Sequence, residues 1–237
     1  MKDLTLVLDF SAALSVGLVD DLDRTLAFRI REQGTRGESA HALLDECLAE
    51  AGRGIGDLAS LCVGVGPGSF TGIRVCAALS QGLAFADRLP IFPFSSLAGL
   101  LSGLPAVTAP RGIPSPAVVI TGVTATAASP AIAVIAANGG RYFARRSDTG
   151  AEDLLTHEGL LALGSPATVL ITAGNVPDRE RLRPAFAALE RHEDRADFPA
   201  LARLARSRPP ITDGVLRPNY LMASAAEEKR LSGDAPK

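Results

Sequence analysis

The sequence predicts a two-lobed α/β fold with a mixed sheet and helices in each lobe. Three observations predict it. Residues 1–103 read as strand, strand, strand, helix, strand, helix, strand, helix, one complete α/β lobe. A Pro/Gly-rich stretch from Pro105 to Pro116 then reads as a linker or surface loop. A second, less regular set of strands and helices follows. The expected units are an N-terminal lobe 1–103, a smaller C-terminal lobe 104–225, and a frayed tail 226–237 that is charged and rich in small residues.

The elements follow in order. Leu4 to Phe10 is a short apolar run, expected as a central strand. Ser11-Ala12-Ala13 turns the chain into a second strand, Leu14 to Val19. After the turn Asp20 to Asp23, the stretch Thr25 to Ile30 alternates apolar and polar residues and completes a meander. Gln33 to Ser39 is polar. A helix over Ser39–Ala51 places Ala40, Leu43, Leu44, Cys47, Leu48 and Ala51 on one face and is stopped by Gly52 and Gly54. Leu61 to Val65 is the fourth strand, Pro90 to Phe94 the fifth, and Ser95-Ser96 caps a third helix ending near Gly103. In the second half, Ala131 to Ala136 and Arg141 to Arg145 form a hairpin around Asn138-Gly139. Thr156 caps a helix to Leu163, Ala167 to Thr172 is a strand ending at Gly174, and Phe198 to Ser207 is an amphipathic helix. The Thr/Ala-rich stretch 121–129 takes no assignment, and no internal repeat of fixed period is visible.

The chain is organised around one stretch, Gly64-Val65-Gly66-Pro67-Gly68-Ser69-Phe70-Thr71-Gly72-Ile73-Arg74. Its glycines and Pro67 make a sharp turn between a buried strand and a helix over 72–87, with Thr71 as the expected N-cap. Strand, glycine loop and helix start form a ready anion site. The residues argue against a nucleotide: no Lys follows the glycines, and Ser69 stands where a dinucleotide loop has its third glycine. The helix has apolar residues on two faces. Val75, Cys76, Leu79 and Leu83 are enough to pack on a sheet, while Ile73, Ala77, Ser80 and Ala84, flanked by Arg74 and Gln81, would need other cover.

Chemistry-bearing groups are sparse. Ser69 lacks the nucleophile-elbow pattern and a nearby base. Asp9 ends the first strand, where a catalytic carboxylate can sit; as the alternative, it caps the turn at Ser11. His157 is expected on the surface, and Asp178 to Arg181 and Arg191 to Asp197 as solvated charged faces. His41, His157 and His192 share no ligand spacing with each other or with a cysteine, so no metal is expected. Cys47, Cys62 and Cys76 are odd in number and lie in apolar surroundings, which fits reduced thiols in a cytoplasm. A net charge of −2 and a pI near 5.9 argue against autonomous nucleic-acid binding. No apolar run is long enough to span a bilayer, and no signal peptide is expected. Residue chemistry alone therefore favours a binding subunit over an enzyme.

The block Gly66-Pro67-Gly68-Ser69-Phe70-Thr71-Gly72-Ile73-Arg74, with Gln81-Gly82-Leu83-Ala84 and Ser95-Ser96-Leu97 behind it, closely resembles the TsaB (YeaZ) family. Leu8-Asp9-Phe10-Ser11 stands where that family has its Asp-Thr strand end. The second half matches thinly, through Ile135 to Phe143 and Arg217-Pro218-Asn219-Tyr220-Leu221. The resemblance implies the two-lobed actin-like ATPase fold shared with sugar kinases and heat-shock ATPases. It implies no catalysis and no cofactor of the chain's own, but a scaffold for TsaD, with TsaE joining, in a cytoplasmic complex. That complex transfers threonylcarbamoyl to the adenosine beside the anticodon of tRNAs reading codons that begin with A. tRNA would be met only through the complex, and a homodimer would form when TsaD is absent. The family contact implies partner-binding residues on helices 39–51 and 72–87, namely Ala42, Asp45, Glu46, Ile73, Arg74, Ala77, Ser80, Gln81 and Ala84. Phe10 in the first turn and the lack of a second histidine beside His41 fit the non-catalytic reading. The alternative is a small stand-alone ATPase or peptidase of the same fold, the peptidase being implied by the resemblance, since relatives in the family have been suspected of protease activity.

Overall fold

The computed structural model describes residues 2–32, 38–102, 130–177, 179–191 and 196–221. The expected linker 105–116, the stretch 121–129, the boundary at 103 and the tail 226–237 lie outside these.

The first sheet holds β1 (Leu4–Asp9), β2 (Ala13–Val19), β3 (Thr25–Glu32), β4 (Leu58–Gly64) and β5 (Ile91–Phe94), with α1 (Glu38–Ala51), α2 (Phe70–Asp87) and α3 (Ser96–Ser102) between and after them. Its order is β3-β2-β1-β4-β5. β1 pairs antiparallel with β2 and parallel with β4, so it sits at the centre as expected. Strand alternation divides its two faces. Leu4, Leu6, Leu8, Leu61 and Val63 face α1 and α2, while Val7 and Cys62 face the opposite side. In α1 the apolar face read from the sequence is the buried one, with Leu43 and Cys47 fully covered.

The second sheet comprises β6 (Ala131–Ala136), β7 (Tyr142–Arg146), β8 (Glu152–Leu155), β9 (Val169–Ala173) and β10 (Ala188–Arg191), with α4 (His157–Ala162), α5 (Arg179–Leu182) and α6 (Phe198–Arg206). Its order, β10-β9-β6-β7-β8, has two parallel and two antiparallel pairings in the same sequence as the first sheet. The molecule is thus one topology used twice, although no sequence period marks it. β8, α5 and β10 were not expected from the sequence, and α5 falls on the charged stretch taken as a solvated face.

The last helix of each half packs on the other half. Leu97, Leu100 and Leu101 of α3 lie against Ala131, Ala133, Ile135 and Ile171 of the second sheet. Phe198, Leu201, Ala202 and Ala205 of α6 lie against Val7, Val19, Cys62 and Phe94 of the first. α6, from the second half of the chain, thus takes part in the first lobe's packing and α3 in the second's. Gly17 makes this exchange possible, because a Cβ there would lie 2.2 Å from the Phe198 ring. Among the described residues no helix is long and apolar enough to cross a membrane.

Candidate functional site

The glycine loop sits where three segments meet. Val65 donates to Phe94 O at the end of β5, and Asn219 donates to Val65 O at 2.7 Å. Gly66 donates to Ser96 Oγ at 3.1 Å, and Ser96 N donates back to Gly66 O at 2.9 Å. Ser69 N donates to Ser11 O at 2.7 Å. The Gly66–Pro67 peptide is cis. Gly66 has φ +94, in the region that favours glycine, and a Cβ on it would press on Ile73 and on Asn219 O. A Cβ on Gly68 would lie 2.4 Å from Ser11 O. The glycines therefore serve close packing of backbone on backbone. N–H groups that an anion cradle would offer at Gly66 and Ser69 are spent inside the protein.

α2 begins at Phe70, and its N-cap is Ser69, whose Oγ accepts from Gly72 N at 3.2 Å. The sequence expectation of Thr71 as the cap is corrected by two residues, to Ser69; Thr71 is already helical and exposed. Capping is also the role of the Ser69 hydroxyl, and a cap is a different task from a nucleophile's.

Asp9 behaves as the capping alternative describes. Its Oδ1 accepts from Ser11 N at 2.9 Å and from Ser96 Oγ at 3.0 Å. Burial raises its pKa from 3.8, and the hydrogen bonds from Ser11 and Ser96 oppose this. Between 3.8 and the raised value, the folded chain holds a proton that the unfolded chain has lost. Stability therefore falls as pH rises through that window, and the ionised carboxylate is a cost at neutral pH. Asp9→Asn keeps the Oδ1 acceptor and drops the charge. It is expected to melt above the parent at pH 7, with the gap closing as pH is lowered past the ordinary carboxylate range. A lower melting temperature at pH 7 would count against this account.

The three thiols are inert by the same physics. Burial is the main cause in each: Cys47 is pushed up to about 11, Cys62 to about 12, and Cys76 upward beyond both. At pH 8 iodoacetamide is expected to leave the native chain unlabelled and to label three sites after unfolding. Native labelling at the rate of a free thiol would contradict this. Among the described residues no group of His, Cys, Asp and Glu could hold a metal ion.

The two faces of α2 are the reverse of part of the sequence reading. Ile73, Ala77 and Ser80, expected on the partner face, are buried at 1%, 7% and 0% exposure, and so is Cys76. Small side chains let the helix approach the sheet closely, and Ser80 satisfies its hydroxyl on Cys76 O. Val75, Leu79 and Leu83, expected to be the inward face, are half-exposed on its shoulders. The outward stripe is Arg74, Ala78, Gly82 and Phe85, one above another at helical spacing. Phe85 is 90% exposed. Of the remaining expected residues, Ala42 and Asp45 on α1 and Arg74 on α2 are exposed, and Gln81 and Ala84 are half-buried. Gln81 Nε2 donates to Gly214 O at 3.2 Å. Glu46 is committed to β3, pairing with Arg29 and Arg31.

At the start of α2 the Arg74 guanidinium lies 3.8 Å from the Phe70 ring centroid. Tyr220, arriving on the C-terminal segment, stacks on Phe70 with centroids 5.1 Å apart, and Arg74 Nε reaches its hydroxyl at 3.4 Å. Sequence reading quoted the segment 217–221 without placing it. No local pattern could have shown that it returns to the glycine loop.

Comparison with known proteins bears on this arrangement. A family model described as TsaD, tRNA N6-adenosine threonylcarbamoyltransferase, matches residues 37–128. The chain is 42% identical over 104 residues to the tRNA threonylcarbamoyladenosine biosynthesis protein TsaB of Haemophilus influenzae, covering 42% of this chain and 43% of that protein. Against TsaB of Escherichia coli K12 the identity is 36% over 61 residues, 26% of each chain. The matches thus span less than half the length of these curated relatives. A solved structure of an uncharacterised Pseudomonas aeruginosa protein, described as similar to the peptidase YEAZ, superposes with a TM-score of 0.66 at 23% identity, covering 93% of this chain and all of that one. YeaZ from P. aeruginosa does so at 0.63 and 22%, covering 92% and 100%. Likeness at that identity establishes the two-lobed α/β fold.

Proposed function

We propose, from its likeness to two TsaB proteins, that the chain is a TsaB (YeaZ) family member and acts in threonylcarbamoyladenosine biosynthesis as a non-catalytic scaffold subunit. It docks on TsaD, the transferase of the pathway, with TsaE joining the pair, and meets tRNA only through that complex in the cytoplasm. It contributes no cofactor.

The observation that carries the reading is the outer face of α2. Arg74, Ala78, Gly82 and Phe85 are presented outward between half-exposed Val75, Leu79 and Leu83. Small residues flanked by aliphatic shoulders admit a partner helix closely, and an aromatic residue at one end supplies an anchor. The candidate chemical groups are engaged elsewhere: Ser69 caps α2, and Asp9 holds Ser11 and Ser96. The same face would join two copies when TsaD is absent.

The test is to mix the purified chain with TsaD from its own organism and measure mass by size exclusion with light scattering. A 1:1 complex is expected, and the free chain is expected to dimerise as its concentration rises. Two independent monomers at micromolar concentrations of both proteins would overturn the proposal.

A further inference from the structure

Glu152 is the place where the second lobe takes hold of the first. It lies on β8, at the edge of the second sheet. Its Oε1 accepts from Arg145 Nη1 on β7 at 2.9 Å and from the Ser95 hydroxyl beside α3. Its Oε2 accepts from Asn219 Nδ2 at 3.1 Å, on the segment that returns to the first lobe. One carboxylate thus joins the β7–β8 hairpin to two pieces of chain, at Ser95 and Asn219, that are far from it in sequence. Hydrogen bonds to an ionised acceptor are stronger than neutral ones, and at most a quarter or so of either ion-pair side chain faces water (26% and 14%).

What lies downstream of Asn219 gives the contact its consequence. Asn219 N–H ties to Val65 O at the mouth of the glycine loop, and Tyr220 follows directly, stacked on Phe70 beside Arg74. Leu216 is buried in the first lobe's core, and Gln81 of α2 holds Gly214 O. Segment 211–221 is a strap laid across the start of α2. At its far end its side chains are only partly covered: Tyr220 is 42% exposed and Leu221 36%. Neither side chain there is buried in a core, so the polar anchor at Asn219 helps set the strap's position.

We propose that Glu152 is an interlobe latch and a positioning residue. By holding Asn219 it fixes the strap, and through Tyr220 it fixes the Phe70–Arg74 pair on the surface that opens α2. The effect on docking rests on the α2 reading given above; the latch itself does not.

The test uses the full chain and amide hydrogen exchange read by mass spectrometry over 211–221. Glu152→Gln keeps the shape but removes the charge and puts an amide against donors. Asn219→Asp sets one carboxylate against another. Each is expected to speed exchange in the strap roughly tenfold or more while α1 is unchanged. In the double variant Glu152→Gln with Asn219→Asp, an amide again faces a carboxylate with the polarity inverted. Exchange there is expected to be slower than in Asn219→Asp alone. Unchanged exchange in both single variants, or strictly additive effects in the double, would overturn the latch. TsaD affinity of Glu152→Gln is then measured. A several-fold loss alongside faster exchange supports both readings. Faster exchange with full affinity keeps the latch and removes this end of α2 from the docking surface.

Discussion

Gly64→Ala is expected to be among the most damaging single-methyl changes in the chain. A Cβ at this position would lie 2.5 Å from Asp9 Cγ and 2.7 Å from both carboxylate oxygens. The two residues end neighbouring parallel strands, so neither backbone can give way without disturbing the centre of the first sheet. The carboxyl must rotate instead, and in doing so it releases Ser11 N and Ser96 Oγ. Overpacking typically costs about 1–3 kcal/mol. Loss of hydrogen bonds to a carboxylate adds about 1.5–3 kcal/mol. A total near 4 kcal/mol corresponds to a drop of roughly 10 °C in melting temperature for a chain of this size. Thermal unfolding is the measurement. Adding Asp9→Ala removes the clashing group, so the double variant should lose less than the sum of the two single losses. Gly82→Ala is the control: a Cβ there meets nothing within 4 Å on the helix surface, and it should gain about 0.5–1 kcal/mol. If Gly64→Ala and Gly82→Ala behave alike, the close approach of Asp9 to Gly64 is not what holds this position.

The same loop shows why a glycine-rich turn misleads when read for chemistry. From the sequence, strand, glycines and helix start made an anion site worth testing against the residues, and the missing Lys argued against it. The structure adds a stronger reason. The N–H groups of Gly66 and Ser69 are taken by Ser96 Oγ and Ser11 O, and the Asn219 N–H ties to Val65 O beside them, so segments distant in sequence fill the loop. A position that could receive phosphate in another setting is here the joint between the first turn, α3 and the C-terminal strap.

How much was legible follows the same division between local and distant causes. β1 to β5 and α1 to α3 were readable to within about three residues because each carries its own signal: an apolar run, a helical face, a cap. Thr156 announced α4 by its cap, and α6 showed as an amphipathic stretch, while its cap, Asp197, was read only as part of a charged face. β8 and β10 carried no such signal. Glu152-Asp153-Leu154-Leu155 and Ala188-Leu189-Glu190-Arg191 are edge strands, held by pairing with β7 and β9 and half-polar as edges are. α5 has four residues, too few to show a period. The exchange of α3 and α6 between halves depends on matching a helix to a distant sheet, which no window of sequence contains. In α2 the period was visible but its direction was not. Leu79 and Leu83 looked like core by size, yet Cys76, Ala77 and Ser80 face the sheet because small side chains permit the closest approach.

That inversion decides which variants can test docking on TsaD. Pairing Arg74→Glu with Ala77→Arg, the choice the sequence invites, would force a long cation into a site 7% exposed, and lost binding would then report lost folding. Ala78→Arg with Phe85→Glu addresses the outward stripe instead. Both positions are exposed, so monomer stability should stay within about 0.5 kcal/mol of the parent, checked by thermal unfolding. At a docked interface the pair would place unpaired charges in a desolvated contact and remove an aromatic anchor. A cost of about 3–5 kcal/mol is the usual scale for an uncompensated buried charge, which weakens TsaD binding at least about a hundredfold. Homodimerisation should fall with it. α2 is 18 residues long, about 27 Å at 1.5 Å per residue, and one face about 10 Å wide falls well short of the roughly 800 Å² per partner of a stable interface. Neighbouring surface must therefore share the contact, and the exposed side of α1 is the one the family resemblance implies. Ala42→Arg with Asp45→Arg should then weaken binding by a smaller factor, roughly tenfold, because it reaches the rim rather than the anchor. Glu46 is left out of that test, since its pairing with Arg29 and Arg31 makes it part of the fold. Full affinity in the Ala78→Arg, Phe85→Glu chain would remove α2 from the interface altogether. Full affinity in the α1 pair alone would confine the contact to α2 and require its missing area from the strap beside Phe70.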